Sequence, residues 1–320
     1  MLHHQRSIFA LMATLGAVLA APPSDSSAHA DSPAVTVVGT MALEAHRSAI
    51  DGVRAALSRS PLEIHVVDLS SLGADTSHVE RFAGSRTRVI VAIGTEALQL
   101  VAAQRPNVPV ISTMLLRGAP PANKTGRSDG AFSPVATIVL DVPLPVLLAR
   151  LKQVFPGKTR LGIIRNTNMA GLATAELESR AQQQGFTVRV LDCPGAEQLL
   201  AAFLTLKSQV DFVWCLPDGV LYNSATIKPL ILSSIENRLP LIGFSESFAR
   251  AGAAVGVYPD FRDVGLQTGE IALQIVSGQV IRALEGPRKV KLALNQSVLR
   301  LIGLRYALPK TDAVDFSVFQ

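Results

Sequence analysis

The chain has 320 residues, a formal net charge of +5, two cysteines and 5% aromatic residues. Two cysteines exclude a disulfide scaffold and a Cys-rich zinc site. Basic residues form no stripe and aromatics are sparse, which argues against a nucleic-acid platform.

From the N-terminus, His3-His4-Gln5-Arg6 is a short polar, basic start, followed by fourteen largely apolar residues, Ile8 to Ala21, and by Ala28-His29-Ala30. That is the layout of a secretory signal peptide over 1–30 with an A-x-A cleavage site. The apolar run is too short to span a bilayer, and no later window is long enough. No Cys follows the site, so the expected product is a soluble, periplasmic chain with no stable membrane insertion. Its roughly 290 residues are enough for two lobes of ordinary size.

The mature part reads as repeated strand–helix units. Val35 to Gly39 is a β-branched run, and Leu43, Ile50, Val53, Ala56 and Leu57 then mark one face of a helix over 43–58. A strand at 62–69, a short helix at 76–82, a continuous apolar strand at 88–93, a helix at 95–103 and a strand at 108–112 follow. Residues 117–134 carry Gly118, Pro120, Pro121, Gly126, Gly130 and Pro134 and read as a loop or connection. The pattern then restarts. Helices are expected at 143–155, 170–184, 196–208, 223–238, 246–251 and 261–277, and strands at 160–165, 186–192, 211–216, 240–244 and 254–258. Apolar stretches at 290–294 and 298–304 close the chain. Two βα series with a junction between them predict an α/β fold of two doubly wound parallel-sheet lobes.

Ligands of such sheets sit beyond the carboxyl ends of the strands. That rule selects Thr40, Ser70, Thr95, Glu96, Thr113, Arg165, Asn166, Asp218, Ser245 and Glu246, which are small, hydroxyl-bearing or charged. They suit a polar small molecule.

Several segments now resemble one family. They include Val89-Ile90-Val91-Ala92-Ile93-Gly94-Thr95, Phe155-Pro156-Gly157-Lys158, Val210-Asp211-Phe212-Val213 through Leu216-Pro217-Asp218, and Leu239-Pro240-Leu241-Ile242-Gly243. Arg250-Ala251-Gly252-Ala253 and Asp263-Val264-Gly265-Leu266-Gln267-Thr268-Gly269 extend the match over nearly all of the mature chain. The sequence resembles the substrate-binding proteins of ABC importers in the group that includes tryptophan and tyrosine binders, with a type 1 periplasmic-binding-protein fold. The resemblance implies a ligand clamped between two lobes joined by a three-segment hinge. Lobe one would comprise 31–112 plus 259–280, the first crossover and loop 113–142, and lobe two 141–258 plus 281–320. It further implies a monomer that delivers an amino-acid-like ligand to an inner-membrane ABC permease. Where many members carry Tyr-Asn-Pro, this chain has Arg165-Asn166-Thr167, which implies a more anionic ligand or a salt bridge.

Each selected residue also has an ordinary structural role. Thr95 opens a helix and suits a carboxylate or a plain N-cap. Asp218 could hold an ammonium or cap the following turn. Arg165 could hold a carboxylate bidentately or form a salt bridge. Glu246 reads foremost as a first-turn acid favoured by the helix dipole. Tyr258 could cover an apolar part of the ligand. Trp214 and Phe212 alternate within a strand and read as core.

His46, His65 and His78 show no metal-ligand spacing. No Walker A, G-x-G-x-x-G, H-E-x-x-H or C-x-x-C motif occurs, so no cofactor, no metal and no catalytic residue is expected. Two alternatives keep their place: a ligand-presenting subunit for a sensor kinase or outer-membrane uptake system, and a secreted serine hydrolase. The latter rests on Gly243-Phe244-Ser245-Glu246-Ser247, which lacks the second Gly of a nucleophile elbow.

Overall fold

Short β-branched runs alternate with amphipathic stretches, and the two kinds of segment become strands and helices in turn. The computed structural model describes residues 33–71, 84–117, 132–167, 173–308 and 315–320. The expected signal peptide, the short helix at 76–82 and most of the stretch 117–134 lie outside these residues.

The first series is β1 (Ala34–Gly39), α1 (Glu44–Leu57), β2 (Glu63–Asp68), β3 (Thr87–Ile93), α2 (Gly94–Ala103), β4 (Val110–Leu115) and β5 (Ala136–Val139). The second is α3 (Leu144–Val154), β6 (Arg160–Asn166), α4 (Thr174–Gln182), β7 (Thr187–Cys193), α5 (Leu199–Leu206), β8 (Phe212–Cys215), α6 (Ile227–Glu236), β9 (Leu241–Gly243), α7 (Glu246–Ala251) and β10 (Val255–Pro259). The chain ends with α8 (Phe261–Val276), β11 (Leu284–Glu285), β12 (Val290–Asn295), α9 (Gln296–Leu301) and β13 (Phe316–Phe319).

The described residues form two sheets. One has the order β11-β5-β4-β3-β1-β2, all parallel, and the other β13-β12-β10-β9-β8-β6-β7, parallel except between β10 and β12. In both, the first strand of the series lies inside the sheet, so its side chains are covered on both faces. In the first sheet Val35, Val37, Val89, Val91 and Ile111 pack with Ile50, Val53 and Val264 of α1 and α8. The alternate residues Val38, Ile90, Ala92 and Val110 pack with Ala97, Leu98 and Val101 of α2. Two-sided cover explains why these strands are continuously apolar instead of alternating. In the second sheet Leu161, Ile163, Phe212 and Trp214 meet α3 and α4. Ile164, Val213, Cys215 and Leu241 meet α5, α6 and Phe248 of α7. Each such Val, Leu or Ile contributes about 1.5–3 kcal/mol on burial.

The chain passes from the first sheet to the second between β5 and β6, returns between β10 and α8, and passes again between β11 and β12. Three strands depart from the sequence reading. β5 falls inside 113–142, expected to be crossover and loop, and β11 inside 281–320, expected in the second lobe, yet both belong to the first sheet. β13 adds a parallel edge to β12. All three are two to four residues long, too short for side-chain periodicity, and exist because a neighbour offers unpaired backbone groups. The return crossing lies at 259–261, because β10 keeps its pairing with β12 through Pro259↔Val290.

Candidate functional site

The carboxyl ends of β1, β9 and β10 and the helices that follow them border a half-open cavity of about 610 Å³. From the first-sheet half come Glu44, Ala45 and Ser48 of α1 with Phe261 and Arg262 of α8; from the second come Ser245, Glu246, Ser247, Arg250, Tyr258 and Lys291. Pro259 and Asp260 link the two.

Tight helix packing places the first group. A Cβ on Gly52 of α1 would stand 2.1 Å from the Arg262 carbonyl oxygen, and one on Gly265 of α8 would stand 1.9 Å from that of Ala49. Only bare backbone lets α1 and α8 lie this close, and their first turns therefore open side by side. Asp260 starts α8 by accepting the N–H groups of Arg262 and Asp263 at 3.0 and 3.1 Å, a cap that contributes about 1 kcal/mol.

Ser245 starts α7 in the same manner, its Oγ accepting the Phe248 N–H at 3.1 Å. Glu246 then bridges two partners: Arg250 Nε donates to its Oε1 at 2.9 Å, and the Tyr258 hydroxyl donates to its Oε2 at 2.9 Å. Arg250, with Tyr258 second, holds the Glu246 carboxyl below its ordinary pKa. Burial, helped by the Glu246 carboxylate, raises the Tyr258 phenol well above its usual value, so Tyr258 remains a donor. Lys291 pairs with Asp260 and Asp315, each at 3.4 Å. Burial works against the Lys291 ammonium, yet these two carboxylates outweigh it and raise its pKa. The Arg250 guanidinium also stacks 4.5 Å from the Phe319 ring centroid, so β13 steadies a wall of the cavity.

Of the residues selected from the sequence, Ser245, Glu246 and Tyr258 line this cavity; the others do not. Thr40 follows β1, and its N–H donates to Nδ1 of His46 at 3.3 Å. Thr95 lies in the first turn of α2, whose N-cap position is taken by Ile93, and Glu96 beside it is exposed. Thr113 is fully buried and hydrogen-bonds with Thr268 of α8 at 3.3 Å, so its hydroxyl ties β4 to the helix instead of facing a cleft. Arg165 donates from Nε and Nη2 to Asp192 Oδ1 at 2.9 and 2.7 Å, a salt bridge between the neighbouring strands β6 and β7. Asn166 is buried beside it at the end of β6. Asp218 Oδ1 accepts the N–H groups of Val220 and Leu221 at 2.7 and 2.9 Å, which closes the turn after β8.

Glu44, Arg250, Asp260, Arg262 and Lys291 escaped the sequence reading. The Pro259-Asp260-Phe261 junction is itself a strand-to-helix turn, so the rule that selected Ser245 would have found Asp260 and Arg262 there. Lys291 had no such signal, because it joins the site only through the antiparallel pairing Tyr258↔Lys291.

Cys193 and Cys215 are free and buried, on the strands β7 and β8 that flank β6. Burial pushes the Cys215 thiol up to about 12, which keeps it an inert core group.

Residues 34–307 match the family model described as ABC transporter substrate binding protein. The chain belongs to that family. A curated relative, the tyrosine-binding protein of Clostridioides difficile (strain R20291), is 21% identical over 217 residues; the match covers 64% of this chain and spans only 59% of the relative's own length. Among solved structures, the ligand-free, open form of a substrate-binding protein with adhesive properties from Clostridium difficile aligns with a TM-score of 0.62 at 16% identity, over 90% of this chain and all of that one. An ABC domain in complex with L-Trp from Streptococcus pneumonia aligns with a TM-score of 0.54 at 17% identity, over 90% and 99%. These likenesses show the type 1 periplasmic-binding-protein fold. Members of this family bind substrates and do not transform them, so the serine-hydrolase alternative falls. In the structure the Ser245 hydroxyl caps its own helix, accepting the Phe248 N–H. Among the described residues of this substrate-binding protein, no helix is long and apolar enough to cross a membrane.

Proposed function

We propose that the protein is the periplasmic, monomeric binding subunit of an ABC importer, which closes two sheet-centred lobes on one amino-acid-like molecule and presents it to an inner-membrane permease. The observation that carries this reading is the 610 Å³ cavity, lined by both halves of the chain at the carboxyl ends of their strands. Open α/β sheets take their ligands at that place. The three chain crossings are the hinge, and closure brings the second-sheet wall of Ser245, Glu246 and Tyr258 against α1 and α8. The tyrosine-binding relative and the L-Trp-bound structural neighbour support an amino acid as ligand. Charged side chains of both signs beside Tyr258 and Phe261 suit such a molecule.

Thermal unfolding of the purified protein against the twenty amino acids, small carboxylates and nucleosides tests it. A true ligand at one hundred times its Kd adds about 2.7 kcal/mol, a rise of roughly 5–10 °C in Tm for a chain of this size. A flat response to every amino acid, with a hit among the other compounds or none, would overturn the amino-acid assignment.

A further inference from the structure

Six charged side chains line the cavity: Glu44, Glu246, Arg250, Asp260, Arg262 and Lys291. Four of them satisfy one another or near neighbours. Both carboxylate oxygens of Glu246 are taken, by Arg250 and by Tyr258. Asp260 accepts two backbone N–H groups on one oxygen and pairs with Lys291 through the other. Arg250 holds Glu246 and stacks on Phe319, and Lys291 is shared between Asp260 and Asp315.

Glu44 and Arg262 stand apart. Both are exposed, and among the described residues neither side chain has a hydrogen bond or an ion pair. One is an anion and the other a cation. The close contact of α1 and α8 through Gly52 and Gly265 holds their first turns, and so these two residues, on one wall of the cavity. A guanidinium offers a planar fork that fits a carboxylate with two parallel hydrogen bonds. A free carboxylate is the natural acceptor for an ammonium. The molecule whose charges complement this pair carries both groups on one small frame.

We infer that Arg262 and Glu44 form a zwitterion reader, Arg262 gripping the α-carboxylate and Glu44 the α-ammonium of a free amino acid. The ligand's side chain then lies toward Tyr258 and Phe261 on the same cavity. This inference rests on the amino-acid reading of the site and adds to it the two residues that set the ligand class. Selection is made on the charged α-groups, so compounds that lack either group are rejected even when their side chains are identical. The pairs inside the second-sheet wall serve to hold that wall and leave it without a competing free charge.

The test is a set of dissociation constants by titration calorimetry. Whichever of the twenty amino acids binds tightest is compared with its carboxamide, which lacks the carboxylate, and with its deaminated acid, which lacks the ammonium; for tyrosine these are L-tyrosinamide and 3-(4-hydroxyphenyl)propionate. The unaltered protein is expected to disfavour each analogue by about tenfold to a hundredfold, the effect of one charge-assisted hydrogen bond. Arg262→Gln should bind the amino acid and its carboxamide alike, and Glu44→Gln should lose its preference over the deaminated acid. Both side chains are exposed, so urea midpoints of the variants should match that of the parent and confirm that they fold. If an amino acid binds but both variants keep the parent's preferences, the zwitterion reader is overturned and the amino-acid function stands. If no amino acid binds the unaltered protein, both fall together.

Discussion

Gly265 of α8 lies against Ala49 of α1 so closely that a Cβ on it would stand 1.9 Å from the Ala49 carbonyl oxygen. Gly52 makes the reciprocal approach to Arg262, at 2.1 Å. Backbone, not a flexible side chain, occupies the space, so no rotamer change relieves the clash. Gly265→Ala is expected to cost about 3 kcal/mol or more, read from urea unfolding. Because α1 and α8 carry Glu44 and Arg262, ligand affinity should fall as well, even in the fraction that folds. Unchanged stability in Gly265→Ala would show that the two helices can separate freely.

Tyr258→Phe removes the hydroxyl that donates to Glu246. The expected loss is about 1 kcal/mol of stability. The Glu246 carboxyl is held low first by Arg250 and then by Tyr258, so its pKa should rise in the variant toward, but not to, the ordinary value. Carboxyl titration by NMR measures this directly. A Glu246 that titrates identically in both proteins contradicts the network.

Acid should unfold the protein partly through Asp211. Burial opposes its charge, but the Arg160 guanidinium and the N–H groups of Arg160 and Thr159 outweigh that and lower its pKa. The folded state thus binds the proton less readily than the unfolded one. The stabilisation is complete above the ordinary carboxyl range near pH 4 and is lost as pH falls through the depressed folded value. Asp211→Ala is expected to cost about 2–4 kcal/mol at pH 7, since two backbone donors and an arginine lose their acceptor. Its stability should then depend less on pH below 4 than the parent's, as followed by chemical denaturation.

His46 gives a second pH window. Burial lowers its pKa, with Glu96 working in the opposite direction, and Nδ1 is already an acceptor for the Thr40 N–H. An imidazole that resists protonation in the fold makes the unfolded chain the better proton acceptor. Stability therefore declines as pH drops below the unfolded value of about 6.5. His46→Gln should flatten that decline between pH 5 and 7, and Glu96→Gln should steepen it. Gly94 faces the same ring: with φ at +85° and a Cβ 2.9 Å from His46 Cε1, Gly94→Ala should lose about 1–3 kcal/mol. Parallel denaturation curves at three pH values check all three variants.

Most of the two-sheet fold was legible in the sequence, because strands covered on both faces must be apolar without interruption and because their helices carry one apolar face. The runs at β1, β3, β6 and β8 meet that condition, and each is followed by a helix where expected. The strand-end rule reached two residues of the cavity, Ser245 and Glu246, and Tyr258 was singled out apart from it as an aromatic cover. It also selected Thr113 and Arg165, whose polar groups are turned to Thr268 and Asp192. Nothing local distinguishes a hydroxyl at a strand end that faces a cleft from one that faces a helix.

The sequence by itself determined the α/β class, the order of the longer strands and helices, and the family. These follow from local hydrophobic period and from segments that are contiguous in the chain. Only the tertiary structure decided which charges are free. Glu246 is occupied because Arg250 and Tyr258 reach it, and Asp260 because β12 brings Lys291 alongside. Glu44 and Arg262 meet at one cavity because two glycines let α1 and α8 touch. Charge pairing depends on distances between residues far apart in sequence, and those distances exist only once the chain has folded.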